Sequence, residues 1–133
     1  MKKAEKRKVV LIGTGMVGMS YAYAILNQNL CDELVLIDIN KKKAEGEAMD
    51  LNHGVAFSGG NMEIYAGEYS DCRDADLIVL TAGLPQKERQ SRLDLLKENR
   101  KIFFGKQFGS ENRIHSGRSY RDWCRSVFRM SET

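Results

Sequence analysis

"VVLIGTGMVGMSYAYAIL", residues 9–26, is the stretch whose reading decides the fold. A short apolar run enters Gly13, Gly15 and Gly18 in the spacing G-x-G-x-x-G, and the chain leaves that turn with apolar residues at helical intervals. A strand that passes through a glycine turn into a helix is the first crossover of a nucleotide-binding sheet. Gly13 serves a tight turn, Gly15 lets backbone approach a pyrophosphate, and Gly18 allows close packing of helix on strand. The helix start, near Met16, aims unpaired N–H groups and partial positive charge at the phosphates.

The second mark lies downstream. "LVLIDI" (34–39) reads as the next strand, and Asp38 near its end stands 20 residues after Gly18. A carboxylate there accepts hydrogen bonds from an adenosine ribose and repels a 2′-phosphate, which favours NAD over NADP. The lysines at 41–43 temper that repulsion. A Walker-type phosphate loop is excluded, because no G-K-[ST] follows the glycines.

Working outward, "KVVLI" (8–12), "MEIYA" (62–66) and "DLIVL" (76–80) join residues 34–39 as short strands rich in Val, Ile and Leu. Such runs suit strands buried on both faces of a parallel sheet. "MVGMSYAYAILNQ" (16–28) is the first helix. "NKKKAEGEAMDLNHG" (40–54) is the second, with Asn40 as its N-cap and Gly54 as its stop. A third begins at Ser91 or Arg92 and runs through "LDLLKENRKIF". This alternation predicts an α/β fold, a Rossmann-type doubly wound parallel sheet of about four strands with right-handed connections. Residues 1–103 form the nucleotide-binding domain, and 104–133 an irregular tail.

Composition agrees with that reading. The chain has 133 residues, 42% of them hydrophobic and 29% charged, with a net charge of +3. This is a single globular domain. Residues 1–103 hold 15 basic and 15 acidic side chains, so the surplus sits in the tail, with six basic against three acidic. An Arg/Ser-rich tail with Tyr120 and Trp123 is a weak footing for nucleic acid, and no nucleic-acid partner is expected. Cys31, Cys72 and Cys124 are odd in number and lack metal spacing, as reduced thiols do. No metal site is expected. The basic start before an apolar stretch imitates a secretory signal, but glycines interrupt it and no small-residue cleavage site closes it. No unbroken apolar run is long enough to span a membrane.

The same segments, with "DELVLIDIN", "KAEGEAMDLNHG", "YSDCRDADLIVLTAG" and "QSRLDLLKEN", resemble the N-terminal part of a bacterial L-lactate dehydrogenase over roughly residues 5–103. The resemblance implies a cytoplasmic homotetramer that interconverts pyruvate and L-lactate with NAD. It places Gly13, Gly15, Val17 and Gly18 against the pyrophosphate, Asp38 on the adenosine ribose, and Lys43 and Tyr69 at the adenine end. Gly83 and Leu84 pass beside the dinucleotide. Residues 84–92 correspond to the family's mobile lid. There Arg92 matches the arginine that polarises the substrate's keto oxygen as charge grows on it. Gln86 matches the position that selects substrate, a neutral amide leaving room for pyruvate's methyl group where malate dehydrogenases carry arginine. This chain departs from the family at "KERQ" (87–90), where Arg89 stands in place of glycine. A left-handed backbone there is costly for arginine and works against lid closure.

Hydride transfer to a ketone also needs a proton donor, and the family's histidine motif G-E-H-G-D does not occur here. His53 reads as structural, and His115 has no carboxylate beside it in a comparable pattern. The chain is therefore read as a truncated form whose tail resembles the product of a shifted frame or a fusion. Its runner-up readings are a non-catalytic NAD-binding module and a malate dehydrogenase-like enzyme. The outer edge of "DLIVL" should lack a fifth strand, which invites self-association.

Overall fold

The computed structural model describes residues 6–104. Eight elements follow one another: β1 (Lys8–Ile12), α1 (Met16–Gln28), β2 (Glu33–Ile37), α2 (Lys41–Val55), β3 (Glu63–Ala66), a 3₁₀ helix (Tyr69–Asp74), β4 (Leu77–Leu80) and α3 (Arg92–Phe104). The strands make one sheet in the order β3-β2-β1-β4. All three pairings are parallel, with Val10 opposite Val35 and Ile78, and Leu34 opposite Ile64. This is the expected α/β, Rossmann-type architecture. Of the irregular tail expected over residues 104–133, Phe104 instead ends α3, and the rest lies outside the described residues.

Why the strands are apolar past their first residues is visible in their side chains. Alternate residues project to opposite faces of a strand. Val9, Leu11, Leu34, Leu36 and Ile64 pack with Ala22, Ile25 and Leu26 of α1 and Ala44, Ala48 and Leu51 of α2. Their neighbours Val10, Ile12, Val35 and Ile37 face the other way, onto Cys72, Ala75, Tyr65 and Ile78. Neither face meets water, so no polar alternation survives in β1. Each fully buried Leu or Val side chain contributes about 2 kcal/mol by leaving water.

The helices are set by local chemistry. Asn40 caps α2, its side-chain oxygen accepting from Lys43 N at 3.2 Å. Gly54 does not stop this helix, which ends at Val55. Asn29 closes α1 in the left-handed conformation that asparagine tolerates. The 3₁₀ helix was not anticipated. Glu68 and Asp71 there form a reciprocal capping box, each side chain accepting from the other's backbone N–H.

One end of the sheet, where the strands begin, is held by a buried ammonium. Lys8 is nearly inaccessible, and its Nζ lies 2.8 Å from Asp74, 3.5 Å from Glu33 and 3.5 Å from Asp71. Burial works against its charge, yet the hydrogen bond to Asp74 and the field of its neighbours keep its pKa above the ordinary lysine value. Tyr65 donates its hydroxyl to Glu33 at 2.5 Å. Among the described residues, no helix is long and apolar enough to cross a membrane, and no group of three or more His, Cys, Asp or Glu side chains is placed to hold a metal.

Candidate functional site

The opposite end of the sheet, where the strands finish, gathers the glycine turn. Gly13 has φ of +102°, and a Cβ on it would stand 2.6 Å from Ala82 N. Glycine is therefore required twice over, by conformation and by space. A Cβ on Gly18 would collide with the carbonyl oxygen of Gly13 and lie 2.6 Å from Thr81 Oγ1. That collision is the price of bringing α1 directly over β1. Gly15 differs: a Cβ there would meet nothing within 4 Å. Its open side is what backbone needs in order to lie against a ligand.

Gly15 is also the N-cap of α1, and no side chain caps that helix start. Its first-turn N–H groups have no acceptor within the helix, and the first turn carries no acid. An anion is the partner such an end calls for. Val17 lies in this turn and is exposed.

Asp38 immediately follows β2 and is held from both sides. Its Oδ2 accepts from Thr14 N at 2.9 Å and from Thr14 Oγ1 at 2.8 Å, while Oδ1 accepts from Asn40 N at 2.9 Å. Burial pushes this carboxyl up, but these bonds and the nearby Lys43 charge outweigh it and hold the pKa below the ordinary 3.8. The side chain is thus ionised, oriented and half-buried. Lys43 is exposed on the first turn of α2. Tyr69 opens the 3₁₀ helix and is partly exposed.

Past β4, Thr81 Oγ1 donates to the carbonyl oxygen of Gly13 at 2.8 Å and so fastens the glycine turn to the end of β4. Gly83 lies against Asn99 of α3, whose Oδ1 accepts from Leu84 N at 2.8 Å. Gln86 lies in a self-contained clasp. Its Nε2 donates to Gln90 O at 2.7 Å, Gln90 Oε1 accepts from Lys87 N at 3.1 Å, and Gln90 N donates to Lys87 O at 3.1 Å. Arg89 takes φ of +63° within that turn. This is the left-handed geometry expected for a glycine position, adopted here by arginine. Ser91 caps α3, accepting from Asp94 N at 3.1 Å, and Arg92 is its first residue, exposed to solvent.

The glycine turn, Asp38 and the segment after β4 therefore share one rim, while Gln86 and Arg92 stand on an exposed loop and helix start beyond it. His53 sits far along α2, exposed, and His115 lies outside the described residues. Thr14, Thr81, Gln90 and Asn99 escaped sequence reasoning. The polar residue inside an otherwise glycine and apolar turn was the one available signal for Thr14.

These residues fit a dinucleotide: a turn with an open glycine side, an uncapped helix start for the pyrophosphate, and an ionised carboxylate one strand over for a ribose. Residues 7–112 match the family model described as lactate/malate dehydrogenase, NAD binding domain. The "L-lactate dehydrogenase 2" of Bacillus cereus is 58% identical over 103 residues, which is 77% of this chain and 32% of that protein. Among solved structures, a lactate dehydrogenase from a Medee basin deep-sea metagenome library superimposes with a TM-score of 0.69 at 61% identity, covering 74% of this chain and 31% of its own. The lactate dehydrogenase of Cryptosporidium parvum, solved with lactic acid and NAD, gives 0.68 at 31% identity, covering 76% and 32%. The chain spans about a third of the length of the curated relatives it matches.

Proposed function

This chain belongs to the NAD-binding domain family of the lactate/malate dehydrogenases, and we propose from that premise that it is the cofactor-binding part of an NAD-dependent L-lactate dehydrogenase acting on pyruvate and L-lactate. The observation that carries the reading is the held carboxylate of Asp38 beside the open turn at Gly15. NAD, when bound, supplies the hydride acceptor, and NADH the donor.

In this reading Gly13, Gly15, Val17 and Gly18 hold the pyrophosphate, Asp38 the adenosine ribose, and Lys43 and Tyr69 the adenine end. Gly83 and Leu84 flank the chain of the dinucleotide. Gln86 keeps the substrate pocket neutral, which suits a methyl group. Arg92 binds the keto oxygen and stabilises the charge that develops there, acting in a closed lid from which water has left. A histidine acid is required as well and is not among these residues, so activity is assigned to the family's whole enzyme. A cytoplasmic homotetramer belongs to the same proposal.

Titration of NADH fluorescence with the purified chain tests it. Saturable binding is expected, weakened about tenfold or more in Asp38→Ala, since a hydrogen bond to a charged group is lost. Unchanged affinity in that variant removes the ribose assignment. Pyruvate-dependent NADH oxidation by this chain alone is expected to be undetectable.

A further inference from the structure

We propose that Thr14 is the positioning residue that aims Asp38 at the ribose, an inference that rests on the nucleotide reading above. Thr14 is the middle residue of the G-T-G turn and is completely buried, although it is polar. Its backbone N and its hydroxyl both donate to the same oxygen, Asp38 Oδ2, at 2.9 and 2.8 Å. The other oxygen, Oδ1, accepts from Asn40 N at 2.9 Å. An ionised carboxylate offers about four acceptor directions. Thr14 takes both on the inward oxygen and Asn40 takes one on the outward oxygen, so the remaining direction belongs to Oδ1.

Two consequences follow. The carboxylate plane is fixed before any ligand arrives, which reduces the ordering cost of binding. The carboxyl is also kept ionised, because each of these partners donates a hydrogen bond to it, which favours the charged form. Lys43 on the first turn of α2 acts in the same sense, whereas Lys41 is drawn into an ion pair with Glu68 at 3.3 Å. A ribose hydroxyl can donate to the one outward acceptor. A 2′-phosphate has no proton to give and meets an oriented anion instead.

The side chain contributes separately from the backbone. Any residue but proline at position 14 would supply the N–H, while the second bond to Oδ2 comes from the hydroxyl. A merely space-filling threonine would be replaced by valine without effect on the carboxyl, since the two have nearly the same shape.

The test uses the full chain with Thr14→Val and Thr14→Ser, and two readouts: the Asp38 carboxyl midpoint by carbon NMR and NADH affinity by fluorescence across pH. In the unchanged chain the carboxyl should titrate below the ordinary 3.8. In Thr14→Val the midpoint should rise, and NADH should bind about three- to tenfold more weakly at neutral pH, with a further loss below about pH 5. Thr14→Ser should restore both. Thr14→Val with midpoint and affinity unchanged, or Thr14→Ser as impaired as Thr14→Val, overturns the inference. If Thr14→Val does not fold, the midpoint of the unchanged chain and the serine variant still decide it: an ordinary midpoint, or a serine variant that departs from the unchanged chain, overturns it. A low midpoint in a chain that takes up no NADH overturns the nucleotide reading, and the ribose part of this inference with it, while leaving the hold of Thr14 on Asp38 standing.

Discussion

At the scale of single residues, the clearest tension is the left-handed arginine. Arg89 carries a Cβ where the turn after Lys87 asks for none, and its φ of +63° costs about 1 kcal/mol relative to glycine. Arg89→Gly should therefore stabilise the clasp around Gln86, offset in part by the greater freedom of an unfolded glycine. A rise in the urea midpoint equivalent to at most about 1 kcal/mol is the expected result, and a fall would show that the arginine makes a compensating contact. Arg89 was legible in advance, because "KERQ" differs from a turn of known need. So were Gly13 and Gly18, where one residue type alone suits the geometry. Thr14 and Gln90 were not. A threonine between glycines has no fixed meaning until folding brings Asp38 to it, and Gln90 becomes a clasp only once the chain has turned back on Gln86 and Lys87.

At the scale of elements, the strands and helices follow from hydrophobic period and end signals, and their bounds shifted by a residue or two. β2 stops at Ile37 because Asp38 turns its carboxylate to Thr14 and Asn40. α2 passes through Gly54 because that glycine is not left-handed; it packs close enough to α1 that a Cβ on it would stand 3.4 Å from Leu26. The 3₁₀ helix over "YSDCRD" carries no apolar period at all; it is built by the side chains of Glu68 and Asp71 gripping backbone, which no periodicity records. Two substitutions probe these elements. Asn40→Ala should cost about 1 kcal/mol in chemical unfolding, the usual worth of an N-cap. Gly18→Ala should cost more than about 2 kcal/mol, since its Cβ meets backbone that cannot move aside without lifting α1 from β1. A neutral Gly18→Ala would mean that helix and strand are not so closely apposed.

At the scale of the whole molecule, charge and edges matter most. Asp32 is drawn below the ordinary 3.8 chiefly by the backbone N–H of Arg7, Asp74 by its hydrogen bond from Lys8, and Asp38 by the bonds from Thr14 and Asn40 that outweigh burial. The unfolded chain takes up protons at these carboxyls first. Their stabilisation is therefore complete above the ordinary carboxyl range and drains away as pH falls through the lower folded values. Urea midpoints should hold steady down to about pH 5 and drop steeply by about pH 3. Lys8→Ala should destabilise by about 2 kcal/mol, because Glu33, Asp71 and Asp74 lose their shared cation. The outer side of β4 has no strand beside it among the described residues, and Leu77 there is half-exposed. Sedimentation should show concentration-dependent association; a strictly monomeric profile would count against an open edge. The order β3-β2-β1-β4 has one more consequence. β1 is flanked on both sides and buried along its whole length, so its amide protons escape only when the entire sheet opens. Deuterium should enter Val10 and Leu11 last, and a dinucleotide seated at the far rim should delay it further by a factor that rises with the ratio of free ligand to Kd. Isotope uptake at two aliphatic residues then becomes a gauge of ligand affinity that needs no turnover and no dye.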